Sequence, residues 1–78
     1  MSPKAIDVKV LENYELAITF DNNEKRKFDV KPYFKFKQFQ ELKDTKIFQT
    51  VKIAGLSIEW KNGVDICPDE LYNNSKII

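Results

Sequence analysis

Histidine is absent from this chain. Its absence removes the commonest general base and metal ligand, and with them every catalytic triad built on imidazole. The single cysteine, Cys67, cannot form an internal disulfide or a multi-cysteine zinc site. That fits a reducing compartment, and the cytoplasm is the expected location. No run approaches the roughly 20 apolar residues that span a bilayer, so no membrane role is expected. The opening Met1-Ser2-Pro3-Lys4 lacks the apolar stretch of a signal peptide. A bias towards one charge is also missing. Thirteen Lys and Arg stand against twelve Asp and Glu, a net charge of +1, so no overall field draws nucleic acid or an anionic membrane. No Gly-rich phosphate loop, internal repeat or linker interrupts the 78 residues, which suffice for one domain, residues 1–78.

What is present is an ordinary globular balance, 42% hydrophobic and 32% charged, with six Phe, three Tyr and one Trp to fill the core. The predicted class is α+β. Ile6, Val8 and Val10 alternate with Asp7 and Lys9. Leu16, Ile18 and Phe20 alternate with Glu15, Ala17 and Thr19, and Phe28 and Val30 with Lys27 and Asp29. Period-two patterns of this kind mark strands with one face on the core. Glu12-Asn13 and Asp21-Asn22-Asn23-Glu24 read as the turns of a three-stranded antiparallel meander over residues 5–31, and Pro32 ends its third strand.

Phe36, Phe39 and Leu42 are then spaced three apart, as on one helical face. Asp44 is placed to cap a second short helix carrying Ile47, Phe48 and Val51. Strand chemistry returns with Val51-Lys52-Ile53, a break at Gly55, and Leu56, Ile58 and Trp60 expected on one face. Lys61-Asn62-Gly63 suits a three-residue hairpin loop with Gly63 left-handed. That register sets Trp60 against Val64 and Ile58 against Ile66. Pro68 begins a short final helix, with Asp69 and Glu70 in its first turn and Leu71 as its buried anchor. No element is assigned from Asn73 to Ile78.

Three groupings could carry chemistry. Cys67 precedes a helix, which can make a thiol nucleophilic, but without a base it reads as a small, half-buried N-cap residue. Glu59 and Asp65 face each other across the predicted hairpin. Two carboxylates supply too few ligands for calcium and read more simply as a solvated face. The segment from Lys31 to Phe39 interleaves bases with aromatics, which can stack nucleobases and neutralise phosphates through Lys31, Lys35, Lys37 and, further on, Lys43. The simpler reading buries the aromatics and lets the lysines lie along the surface. The loop Asp21-Asn22-Asn23-Glu24 lacks the spacing and glycine of a calcium loop. No cofactor is expected.

Several stretches together resemble the bacterial family called domain of unknown function 2442. They are Leu16 to Asn22, Phe28 to Tyr33, Phe39 to Asp44 and, most specifically, Ser57 to Tyr72, with Trp60, Asn62, Gly63, Asp65, Pro68 and Leu71. They cover nearly the whole chain. Asn23 departs from the family pattern, which often has Gly there. The resemblance implies a small α+β fold of meander, short helices, second strand region and terminal helix, with no assigned activity. Some relatives carry the domain before a helix-turn-helix DNA-binding domain. Others are short genes paired with another small protein, as in toxin–antitoxin modules. The expectation is a non-enzymatic interaction module, antitoxin-like or regulatory, that contacts another small protein or a second copy of itself. Trp60, the Asn62-Gly63 turn and Asp65 would then be architectural. Direct nucleic-acid binding by the Lys31–Lys43 segment, and a small enzyme using Cys67 or Glu59 and Asp65, are the alternatives.

Overall fold

The computed structural model describes residues 2–78. The alternating runs form the expected antiparallel meander: β1 (Ala5–Val10), β2 (Glu15–Phe20) and β3 (Lys25–Asp29). Its apolar face supplies Leu16, Ile18, Phe20, Phe28 and Val30, all fully buried. A register irregularity between Ala5 and Asp7 corrects the expectation for β1. Ala5 faces Phe20 and is buried, whereas Ile6 is left half exposed at the bulge. One extra residue at a bulge lifts a side chain off the core face.

The two three-residue loops that follow β2 and precede Val64 are built alike. Asn23 N–H donates to Phe20 O and Phe20 N–H to Glu24 O. Gly63 N–H donates to Trp60 O and Trp60 N–H to Val64 O. Asn22 and Asn62 each accept, through Oδ1, the backbone N–H two residues on. Asn23 (φ 71°) and Gly63 (φ 90°) both occupy the left-handed position. Asn23 thus fills the position that Gly63 fills in the other loop. Asn23→Val, a β-branched residue at positive φ, is expected to cost about 1–2 kcal/mol, while Asn23→Gly stays within about 0.5 kcal/mol of the parent. Urea unfolding of the two variants checks this.

The chain reverses between β1 and β2 with both Asn13 (φ 59°) and Tyr14 (φ 61°) left-handed. An aromatic residue is uncommon there. Tyr14 is held by edge-on contacts to Phe34 and Phe48, with centroids at 5.1 and 5.2 Å, and by its hydroxyl donating to Lys43 O.

Beyond Pro32 the chain departs from the predicted helix. It forms two 3-10 segments, Lys31–Lys35 and Lys37–Lys43, separated by extended backbone at Phe36 (φ −91°, ψ 134°). A three-residue spacing fits three residues per turn as well as an α-helical face. Phe39 and Leu42 are buried, but Phe36 is 45% exposed. Helix α1 (Thr45–Phe48) follows, and the Asp44 carboxylate caps it by accepting from Lys46 N–H at 2.9 Å. Phe48 is buried, with Ile47 and Val51 half-buried beside it.

A second sheet comprises β4 (Lys52–Ala54), β5 (Ser57–Glu59) and β6 (Asp65–Ile66). Gly55 (φ 58°) makes a two-residue turn between β4 and β5. That turn projects Leu56 outward, so Leu56 is half exposed and does not join Ile58 and Trp60 inside. The predicted hairpin register holds, with Ile58 opposite Ile66 and Glu59 opposite Asp65. Trp60 packs on Phe48 at 6.1 Å and donates from Nε1 to Phe48 O.

Helix α2 (Pro68–Asn73) buries Leu71 as expected, and a short strand absent from the sequence pattern, β7 (Lys76–Ile77), then pairs with β3. The first sheet is therefore ordered β1-β2-β3-β7. Arg26 ties the tail to it. Its guanidinium donates to Tyr72 O and Ser75 O, lies 4.0 Å over the Tyr72 ring and pairs with Glu24 at 2.9 Å. The radius of gyration is 11.4 Å, against roughly 11.5 Å for a compact chain of this length.

Candidate functional site

The 3-10 geometry that breaks at Phe36 also makes the surface feature most open to a partner. β3 ends at Asp29, and Lys31 and Pro32 open the first 3-10 segment. Phe36 N–H donates to Tyr33 O, and Phe36 O accepts from Phe39 N–H. Two tight turns meeting at an extended residue leave the Phe36 ring outside the core. It packs on its inner side against Tyr33 and Phe39, at centroid distances of 6.4 and 6.5 Å, while Lys35 Nζ lies 5.3 Å from it.

A hollow lies on either side of this ring. One, of about 270 Å³, is lined by Tyr33, Phe36, Phe39, Asp65, Cys67 and Glu70 among others. The other, of about 460 Å³, includes Asp29, Pro32, Lys35, Glu70 and Lys76. The first brings three aromatic rings and two carboxylates to one place, and no Lys or Arg lines it. Burial pushes the Tyr33 phenol up to about 12, the Glu70 carboxylate beside it acts in the same direction, and the Asn74 amide donating to it opposes them. Tyr33 therefore stays neutral at physiological pH, and the charge of the hollow is that of Asp65 and Glu70.

The four lysines of the basic segment have separate fates. Lys31 Nζ is held by Asn13 O and by Asp29 at 3.1 Å. Lys43 lies 5.8 Å over the Phe34 ring, Lys35 over Phe36, and Lys37 is exposed. The expectation that the aromatics of this segment are buried holds for Phe39 and partly for Tyr33 and Phe34, and fails for Phe36. A sequence signal was available. Aromatics at 33, 34, 36 and 39 are more than one face of a short helix can bury.

Cys67 is the N-cap residue of α2, as expected, but it is exposed rather than half-buried. Glu59 and Asp65 face each other across the hairpin, and both line, with Ser57 and Cys67, a further hollow of about 310 Å³. Ser57 Oγ is sealed from solvent and, among the described residues, has no hydrogen-bond partner. A group shut off in this way is not presented to a ligand, and it carries the cost of an unpaired buried hydroxyl. Ser57→Ala is expected to raise stability by about 1 kcal/mol in urea unfolding. Among the described residues, no three His, Cys, Asp or Glu are placed to hold a metal ion, and no helix is long and apolar enough to cross a membrane.

The remaining motif residues have visible structural roles. Asn62 closes its turn and also donates from Nδ2 to Glu41 Oε1 at 2.9 Å, tying the hairpin tip to the second 3-10 segment. Gly63 supplies the left-handed residue, Pro68 the first turn of α2 and Leu71 its anchor. Asp65 is exposed on β6 and borders the 270 Å³ and 310 Å³ hollows beside Cys67.

A family model described as "Protein of unknown function (DUF2442)" matches residues 5–76, nearly the whole chain and every element from β1 to the first residue of β7. The chain belongs to the DUF2442 family. In this DUF2442 chain the matched span includes both glycine-type turns, the Trp60 hairpin and the Phe36 hollows. No curated protein and no solved structure matches it.

Proposed function

We propose that this DUF2442 chain is a non-enzymatic interaction module that docks a protein partner on the Phe36 face. One observation carries the reading. Phe36 is 45% exposed, although the short chain buries nearly all its other large aromatics at least in part. An aromatic ring between two hollows, rimmed by charges of both signs, has the composition of a contact surface. The partner is another small protein or a second copy of the chain. The family resemblance supports an antitoxin-like or regulatory half of a two-gene system, acting through that partner in the cytoplasm.

The test compares tagged wild type with Phe36→Asp, each crosslinked in its own cells and purified. A stoichiometric partner, or a second copy, is expected with wild type and is lost with the variant. Recovery of none, or equal recovery with both, counts against the reading.

Direct nucleic-acid binding has one observation in its favour: an exposed aromatic flanked by Lys35 and Lys37. Against it stand Asp65 and Glu70 beside the same ring and the pairing of Lys31 with Asp29. This reading requires binding that falls steeply with salt. Absence of binding to single- or double-stranded DNA or RNA at low salt removes it.

A further inference from the structure

The hollow between Phe36 and α2 has a chemistry more specific than a general docking face. Tyr33, Phe36 and Phe39 bring three mutually tilted rings to it, with interplanar angles of 47–57°. Asp65 on β6 and Glu70 in the first turn of α2 bring two exposed carboxylates. No cationic side chain lines it, whereas the hollow on the other flank of Phe36 includes Lys35 and Lys76. Ring faces attract cations through their quadrupole, and carboxylates attract them by charge.

The chain shows elsewhere which cation suits this combination. Arg26 lies 4.0 Å over the Tyr72 ring and donates from both Nε and Nη2 to Glu24 at 2.9 Å. Tyr72 itself donates to the same carboxylate. Ring, carboxylate and guanidinium thus form one buried-edge unit in which the planar cation stacks and hydrogen-bonds at once, which an ammonium cannot do. At the Phe36 hollow, ring and carboxylate face solvent instead. A volume of about 270 Å³ accommodates a guanidinium and part of its stem.

We propose that the hollow lined by Tyr33, Phe36, Phe39, Asp65 and Glu70 binds an arginine side chain of a different protein, since the one arginine of this chain, Arg26, is already held by Glu24 and Tyr72. The inference rests on the docking role of Phe36 and names the contact that gives it specificity. The partner's guanidinium stacks on Phe36 and pairs with Glu70 or Asp65. Lys35 lines the neighbouring hollow and not this one.

The experiment is an NMR titration of the full chain with N-acetyl-arginine-N-methylamide, with the citrulline and lysine analogues as matched probes. The arginine probe is expected to shift the Phe36 and Phe39 ring signals and the amides of residues 65–70, with a dissociation constant on the order of 1 mM. Citrulline, which has the same shape without the charge, should bind roughly tenfold or more weakly, and lysine more weakly than arginine. Glu70→Gln, which leaves the core untouched, should weaken the arginine probe several-fold. Equal binding of arginine and citrulline, equal binding of arginine and lysine, or no shift at Phe36 overturns the proposal. Loss of the cellular partner in Phe36→Asp with no arginine binding would remove this inference and leave the docking role intact. Retention of the partner in that variant would remove the docking role itself.

Discussion

Trp60→Ala is expected to leave the chain without a cooperative unfolding transition near physiological temperature. The indole is 1% exposed and joins the second sheet to α1 by packing on Phe48 and by donating to Phe48 O at 3.0 Å. Truncating a buried Trp costs about 3–5 kcal/mol, and the carbonyl it served would be orphaned as well. A domain of this length has a total stability of about 4–12 kcal/mol, so the loss takes a large share of it. Trp60→Phe keeps most of the volume and loses the hydrogen bond, and should cost about 1–2 kcal/mol. Thermal melts followed by circular dichroism separate the cases. A Trp60→Ala melt within a few degrees of wild type would show that Trp60 does not hold the second sheet to α1.

Arg26→Ala has the second largest expected effect. The Arg26 side chain is only 15% exposed although charged, and four of its contacts converge: Glu24, the Tyr72 ring, Tyr72 O and Ser75 O, beside the pairing of its strand with β7. Charged hydrogen bonds contribute about 1.5–3 kcal/mol each before the loss of packing is counted, but they share one side chain and do not add, so a total of about 2–4 kcal/mol is expected. The Glu24 carboxylate, held below its usual range by the Tyr72 hydroxyl and then by Arg26, loses its second partner in the variant. A depressed carboxylate stabilises the fold above its unfolded pKa and ceases to do so as pH falls through its folded value. Arg26→Ala should therefore also reduce the acid dependence of stability. Hydrogen exchange is expected to rise first in α2 and β7. A loss below about 0.5 kcal/mol, the range of ordinary surface substitutions, would contradict this account.

The sequence carried the meander and the Trp60 hairpin because both combine period-two alternation with explicit turn residues. The register of the second hairpin followed from keeping Trp60 and Ile58 opposite apolar residues, and a one-residue slip would have exposed them. The bulge at Ile6 was hidden, because Ile6, Val8 and Val10 keep perfect alternation in sequence while the backbone shifts beneath them. β7 was hidden for another reason. Two paired residues cannot display a period, and their partner on β3 is far away in the chain. Arg26 lies in step with Phe28 and Val30 on the core side of β3, so a charged residue in an apolar row marks the position in the alternation itself.

The site was less legible than the fold. Phe36, Phe39 and Leu42 satisfy a helical spacing, and nothing in that spacing announces the extended residue that turns Phe36 outward. Asp65 and Cys67 stand out for their own chemistry, and Glu70 for the helix dipole. What joins them to Phe36 is the packing of α2 beside the 3-10 segments, a tertiary relation that local patterns do not encode.

Phe36 is held at the surface, whereas Phe39, three residues later, is buried. Urea unfolding of Phe36→Ser tests this placement most directly, with Phe39→Ser as the reference. Phe36→Ser is expected to lose about 1 kcal/mol, because its half-exposed ring still packs on Tyr33 and Phe39, while Phe39→Ser loses about 3 kcal/mol or more. A loss of comparable size in the two variants would place Phe36 in the core and contradict this placement.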